Sequence, residues 1–101
     1  MILTVLEATV DPGRAADLEA AFRAGAGQVP PGLIRTHLLC ASTDQTRWRI
    51  ETLWQSRAVL DAMRQHTSTP AGVLMFRRAG AEPTLTIFEV VATIDAHEQP
   101  G

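Results

Sequence analysis

The side chains suited to proton transfer or nucleophilic attack are few: the histidines His37, His66 and His97, the single cysteine Cys40, and glutamates Glu7, Glu51 and Glu89 on strand-like segments. A histidine's ordinary pKa of ~6.5 makes it the natural base at neutral pH. His37 falls inside a strand, on the side away from the apolar residues. His66 closes a helical segment, where it reads either as a base at the mouth of a cavity or as a cation favoured by the helix C-terminal dipole. His97 lies in a polar tail and is expected to be inert. The three are far apart and none has a carboxylate at ligand spacing, so no metal site is expected. Cys40 has no intrachain disulfide partner and reads as a small core residue rather than a nucleophile. The glutamates have two readings: close carboxylates that raise one another's pKa, or ordinary ion pairs with Arg35 and Arg49. Arg77 and Arg78 read as a site for an acidic group or as cations at a helix end.

What is absent narrows the chemistry further. All nine basic residues are arginine, and the chain has no lysine, asparagine or tyrosine. A Schiff-base lysine, a tyrosine acid or base, and an asparagine oxyanion donor are therefore excluded. A net charge of -2 argues against a nucleic-acid partner. No apolar run approaches the ~20 residues of a membrane span, and no signal peptide is recognisable. A cytoplasmic location is the resulting expectation, and the Arg- and Ala-rich composition suits a GC-rich bacterial genome.

The elements that must position these residues follow from pattern. At 101 residues the chain is expected to form one domain over residues 1–94, followed by a polar tail over 95–101. Residues 2–10 are apolar and β-branched, hence a strand. Asp11-Pro12 opens a helix, with Ala15, Leu18, Phe22 and Gly25 along one face. Pro30-Pro31-Gly32 turns the chain into strands over 33–41 and 46–54, joined at Ser42-Thr43-Asp44. Setting Ala41 against Gln45 pairs Leu38 with Trp48, Thr36 with Ile50 and Arg35 with Glu51. One face then collects Ile34, Thr36, Leu38, Cys40, Trp48, Ile50, Thr52 and Trp54. Ser56 caps the next helix, with Val59, Leu60 and Met63 inward. Thr69-Pro70 opens a short helix that ends at Gly80, and the last strand runs from Thr84 to Ile94. The order β-α-β-β-α(-α)-β is ferredoxin-like: an α+β fold with helices on one face of an antiparallel sheet. The other face mixes Leu3, Val5, Leu39, Leu53, Ile87 and Val91 with Glu7, Arg35, His37, Arg49, Glu51 and Glu89. Such a surface predicts a homodimer through the sheet face.

Two stretches carry a family resemblance: Pro31-Gly32-Leu33-Ile34, and Trp48-Arg49-Ile50-Glu51-Thr52-Leu53-Trp54-Gln55-Ser56-Arg57-Ala58-Val59-Leu60. The chain resembles the antibiotic-biosynthesis monooxygenase-like family of small dimeric α+β barrels. That resemblance implies a cofactor-free enzyme that oxidises an electron-rich aromatic or quinol-type molecule with oxygen, in an apolar cavity between sheet and helices. Trp48, Trp54, Phe22, Met63, Val73 and Phe76 are the residues expected to line it, with His66 and Trp54 as catalytic candidates. Trp54 also reads as a buried anchor for the second helix, and Trp48 likewise has a structural reading. Haem-degrading members of the family it resembles use an asparagine in the first strand, a tryptophan, and a haem-ligating histidine in the short helix; this chain has no asparagine, and its short helix reads Gly72-Val73-Leu74-Met75-Phe76, so haem degradation is not expected. A non-catalytic small-molecule-binding protein on the same fold is the alternative reading.

Overall fold

The structure is a computed structural model and describes residues 1–96. Of the expected tail, residues 97–101, His97 among them, lie outside the described residues. Four strands, β1 (Ile2–Thr9), β2 (Leu33–Cys40), β3 (Arg47–Trp54) and β4 (Thr84–Glu89), form one sheet in the order β2-β3-β1-β4. Every neighbouring pair is antiparallel. Three helices connect them: α1 (Ala15–Ala24), α2 (Arg57–His66) and α3 (Ala71–Arg78). Element order and strand order together are those of the ferredoxin-like α+β fold.

Local chemistry sets the helix boundaries. The Asp11 carboxylate accepts from the Gly13 N–H at 2.8 Å, which starts a 3-10 turn over Pro12–Arg14 ahead of α1. Ser56 Oγ accepts from the Val59 N–H at 3.2 Å and caps α2 as its position predicts. Thr69 does not cap α3. Pro70 itself holds the cap position, and its carbonyl accepts from Val73 and Leu74 N–H at 3.1 and 3.2 Å. Gly80 ends that region with a φ of +76°, open to a residue without a Cβ.

The Pro-Gly entry to β2 has a steric cause. Gly32 has a φ of +83°, and a Cβ placed there would stand 2.2 Å from Val59 Cγ1. Its carbonyl accepts from the Gln55 N–H at 2.9 Å, tying the turn to the end of β3. The turn thus packs directly on the first turn of α2.

The β2–β3 register differs from the expected one by two residues. Cys40 faces Trp48, Leu38 faces Ile50, His37 faces Glu51 and Thr36 faces Thr52. The reason lies in the loop. Asp44 Oδ1 accepts from Thr46 N–H at 3.0 Å and from its hydroxyl at 2.6 Å, while Asp44 O accepts from Arg47 N–H at 3.1 Å. This turn takes up Gln45 and Thr46, so the paired strands begin later. A shift of two preserves the faces. One irregularity, between Leu33 and Arg35, brings Leu33 against the core and leaves Ile34 exposed.

The strand β4 stops at Glu89, five residues short of the expected Ile94. Val91 and Ile94 lie beyond it and are 96% and 90% exposed. Its phase also corrects two expectations. Ile87 faces Thr4 and packs with the core, and Glu89 faces Ile2, so both belong to the helix side. Phe88 and Thr86, opposite Leu3 and Val5, hold the open side instead.

On the helix side the core divides into two clusters. Leu6, Val10, Leu18, Ile50, Phe76 and Ala79 form the larger, and Ile2, Trp54 and Leu60 the smaller. Val10, Leu18 and Phe76 are fully buried, each contributing about 1.5–3 kcal/mol by removal from water.

Candidate functional site

Between the two clusters runs a row of threonines. Thr4 of β1 faces Thr52 of β3, and Thr52 faces Thr36 of β2. Strand alternation turns all three to the helix side. Thr36 and Thr52 hydroxyls are 2.9 Å apart in a mutual hydrogen bond. Thr4 Oγ1 accepts the Trp54 indole N–H at 3.1 Å and makes a long, 3.5 Å donation to the Thr52 carbonyl. Only Trp54 and Thr52, at 4% and 8% exposure, count as buried in this set.

Above this row the helices stand off the sheet and leave a cavity of about 1140 Å³. Pockets for drug-sized ligands measure roughly 300–1,000 Å³, so the space is ample for a polycyclic aromatic. Five of the expected lining residues do line it: Phe22 from α1, Trp48 and Trp54 from β3, Met63 from α2 and Val73 from α3. The threonine row is part of the wall, and Glu19, Arg23 and Arg64 of the helices stand along it; Arg35 and His37 also border it on the edge strand, but alternation with Thr36 places their side chains on the open face of the sheet.

Phe76 does not line the cavity. It is wholly buried in the larger cluster, because its position on α3 turns the ring into the core while Val73, three residues earlier, faces the open space. His66 is the last residue of α2, exposed and outside the lining. The structure therefore brings Trp54 to the cavity and leaves His66 apart from it. Trp48 is half-buried, its indole N–H donating to the Gln45 carbonyl at 3.1 Å. Trp54 combines both readings, an anchor in the smaller cluster and a piece of the cavity wall. Cys40 is exposed rather than in the core, since β2 is an edge strand that the helices do not cover. Its thiol lies 3.6 Å from the Gln45 carbonyl.

The carboxylates resolve into ion pairs. Arg49 bridges Glu7 at 2.7 Å and Glu51 at 3.1 Å, and Arg47 approaches Glu7 at 3.5 Å. The hydrogen bond from Arg49 holds the Glu7 carboxyl below the usual range. Glu89 lies on the other side of the sheet and takes no part. Arg77 pairs with Glu82 at 2.8 Å, and the Arg78 carbonyl accepts from Arg14. Among the described residues no group of three or more His, Cys, Asp or Glu side chains is placed to hold a metal ion. No described helix is long and apolar enough to cross a membrane.

The threonine row is the part of the site that pattern reading missed. Thr36 and Thr52 were legible as helix-side residues, but their pairing depends on the two-residue register shift.

A family model described as antibiotic biosynthesis monooxygenase matches residues 1–73. No curated protein sequence matches this chain. Several solved structures share the fold. One, from Nitrosomonas europaea and provisionally named an antibiotic biosynthesis monooxygenase, is 18% identical with a TM-score of 0.70, covering 91% of this chain and all (100%) of that one. A variant of SnoaB, a cofactor-independent oxygenase from Streptomyces nogalater, is 20% identical with a TM-score of 0.69, covering 92% and 95% of the two chains. A variant of MhuD with two manganese protoporphyrin IX molecules bound per active site is 21% identical with a TM-score of 0.71, covering 95% and 100%. The family match, on the fold these structures share, places this chain in the antibiotic biosynthesis monooxygenase family.

Proposed function

We propose that this protein takes an aromatic, quinol-type small molecule into the cavity between sheet and helices and oxidises it with molecular oxygen, without a cofactor. The observation that carries this reading is the large cavity walled by Phe22, Trp48, Trp54, Met63 and Val73, with hydroxyls set into its sheet side. Aromatic and apolar walls with a few placed polar groups are the usual form of a small-molecule site. An anthrone-type substrate would lose a proton, pass an electron to oxygen, and recombine with it. One oxygen atom ends in the new ring carbonyl; the other leaves as water with the two hydrogens of the methylene carbon.

In this reading Trp54 and Trp48 hold the ring by stacking and edge contacts, and Thr4 fixes the Trp54 indole. His66 stands two residues beyond the lining residue Arg64, so as a base it would serve a proton presented at the cavity rim. The second reading is a non-catalytic binding protein, favoured by that displacement of His66 from the wall. SnoaB, a cofactor-independent oxygenase on the same fold, supports the catalytic reading. We further propose a homodimer formed through the open face of the sheet.

Oxygen uptake with anthrone separates the two readings. Uptake above the buffer rate, reduced in a folded Trp54→Phe or His66→Ala variant, supports oxidation. Binding of anthrone by calorimetry with no uptake supports the binding protein. Neither uptake nor binding rejects both.

A further inference from the structure

The Thr36–Thr52 pair has chemistry beyond stabilising the sheet. Each hydroxyl carries one donor and two acceptor lone pairs. Their mutual 2.9 Å bond uses one O–H and one lone pair, and either oxygen can be the donor. Among the described residues, neither hydroxyl oxygen has a further hydrogen-bond partner in the protein, which leaves one O–H and several lone pairs on the cavity side. Rotating both hydroxyls reverses the bond at no cost in contacts. The pair therefore presents a donor or an acceptor at the same place. Around it the wall is apolar: Leu38 and Ile50 on one side, Trp54 and Leu33 on the other. An oxygen on an otherwise apolar ring finds its polar partners on the sheet wall here.

We propose that Thr36 and Thr52 form a reversible anchor for an oxygen substituent of the aromatic ligand, accepting from a phenol and donating to a quinone carbonyl. The cavity would thereby hold both the reduced and the oxidised form of such a ring. This rests on the small-molecule reading of the cavity given above. It is tested by binding alone, so that a lack of turnover does not bear on it.

Calorimetric titration of the intact protein with naphthalene, 1-naphthol and 1,4-naphthoquinone provides the test. In wild type both oxygenated rings are expected to bind about tenfold tighter than naphthalene, the worth of one hydrogen bond made away from water. In a Thr36→Val/Thr52→Val double variant, which keeps shape and removes both partners together, that margin is expected to vanish. In Thr36→Ser it is expected to persist. If the double variant folds poorly, Thr36→Ala/Thr52→Val, which also removes both hydroxyls and lightens the half-exposed edge strand, gives the same comparison, and there too the margin should vanish. A margin unchanged in these double variants overturns the anchor while leaving the cavity reading intact. A margin for 1-naphthol but none for the quinone overturns its reversibility. No binding of any of the three rejects the cavity reading and the anchor with it.

Discussion

The Trp54 indole N–H donates to Thr4 Oγ1 at 3.1 Å, joining the last residue of β3 to the strand beside it across 50 positions of sequence. The ring itself is 4% exposed and packs with Ile2 and Leu60. One residue thus fixes the end of the central strands, the seat of α2 and a piece of the cavity wall. Trp54→Phe keeps most of the ring and loses the indole donor, and is expected to cost about 1 kcal/mol beyond any change of volume. Trp54→Ala empties the site and should cost about 3–5 kcal/mol. Urea unfolding of both variants checks the difference.

Gly32 is the second position at which the fold is sharply constrained. A Cβ at Gly32 meets Val59 Cγ1 at 2.2 Å on a backbone already at φ +83°. The left-handed conformation costs an ordinary residue about 1–2 kcal/mol, and forced overpacking about 1–3 more. Gly32→Ala should lower the melting temperature by about 10 °C or more, by circular dichroism. A double Gly32→Ala/Val59→Ala variant should recover the packing part and keep the backbone part.

The cap of α2 is a smaller and separable effect. Ser56 Oγ accepts from the Val59 N–H at 3.2 Å, the one side-chain cap of that helix. Ser56→Ala is expected to destabilise by about 1 kcal/mol, and Ser56→Asp to restore most of it, since aspartate caps as well and suits the helix N-terminus. Thermal denaturation of the three proteins side by side checks the order.

These positions also explain what could be read from residues alone. Caps, prolines and turn glycines act within a few residues, so the order of strands and helices was legible from Asp11-Pro12, Pro31-Gly32 and Ser56. Strand alternation has period two, so the helix-side identity of Thr36 and Thr52 survived an incorrect register. The partners did not. Which threonine faces which depends on how many residues the Asp44–Thr46 turn consumes, a matter of loop geometry. In β4 apolar residues occur on both faces, Leu85 and Ile87 on one and Phe88 on the other, so its phase was not determined by pattern. Phe76 and Val73 both read as inward on α3. Only packing decides that one fills the core and the other faces the cavity.

Glu7 predicts a specific pH dependence. The Arg49 hydrogen bond lowers its folded-state pKa, with Arg47 adding attraction and Glu51 sharing the Arg49 guanidinium. A carboxyl depressed on folding contributes stability above its unfolded-state value and loses it as the pH falls through the folded value. The stability gap between wild type and Glu7→Gln should therefore be constant from neutral pH down to about pH 5 and close below about pH 4. Because the groups are part-exposed, added salt should narrow that gap at pH 7. Urea titrations across pH, at low and high salt, check both statements.

The proposed dimer turns on the other end of the same face. Phe88, Leu3 and Leu53 stand opposite one another across β4, β1 and β3, forming an apolar row that no helix covers. Phe88 is 50% exposed, and Leu39 on the edge strand 40%. The Glu7–Arg49–Glu51 pairs lie beside them and neutralise much of the charge that would otherwise keep two such faces apart. Two sheets meeting here would bury the row and leave the helix-side cavity of each copy open. Wild type is expected to sediment at twice the chain mass, and Phe88→Asp at the chain mass with its far-ultraviolet circular dichroism retained. A wild type that sediments as a monomer at tens of micromolar rejects the dimer. A Phe88→Asp protein that remains dimeric moves the interface off this row.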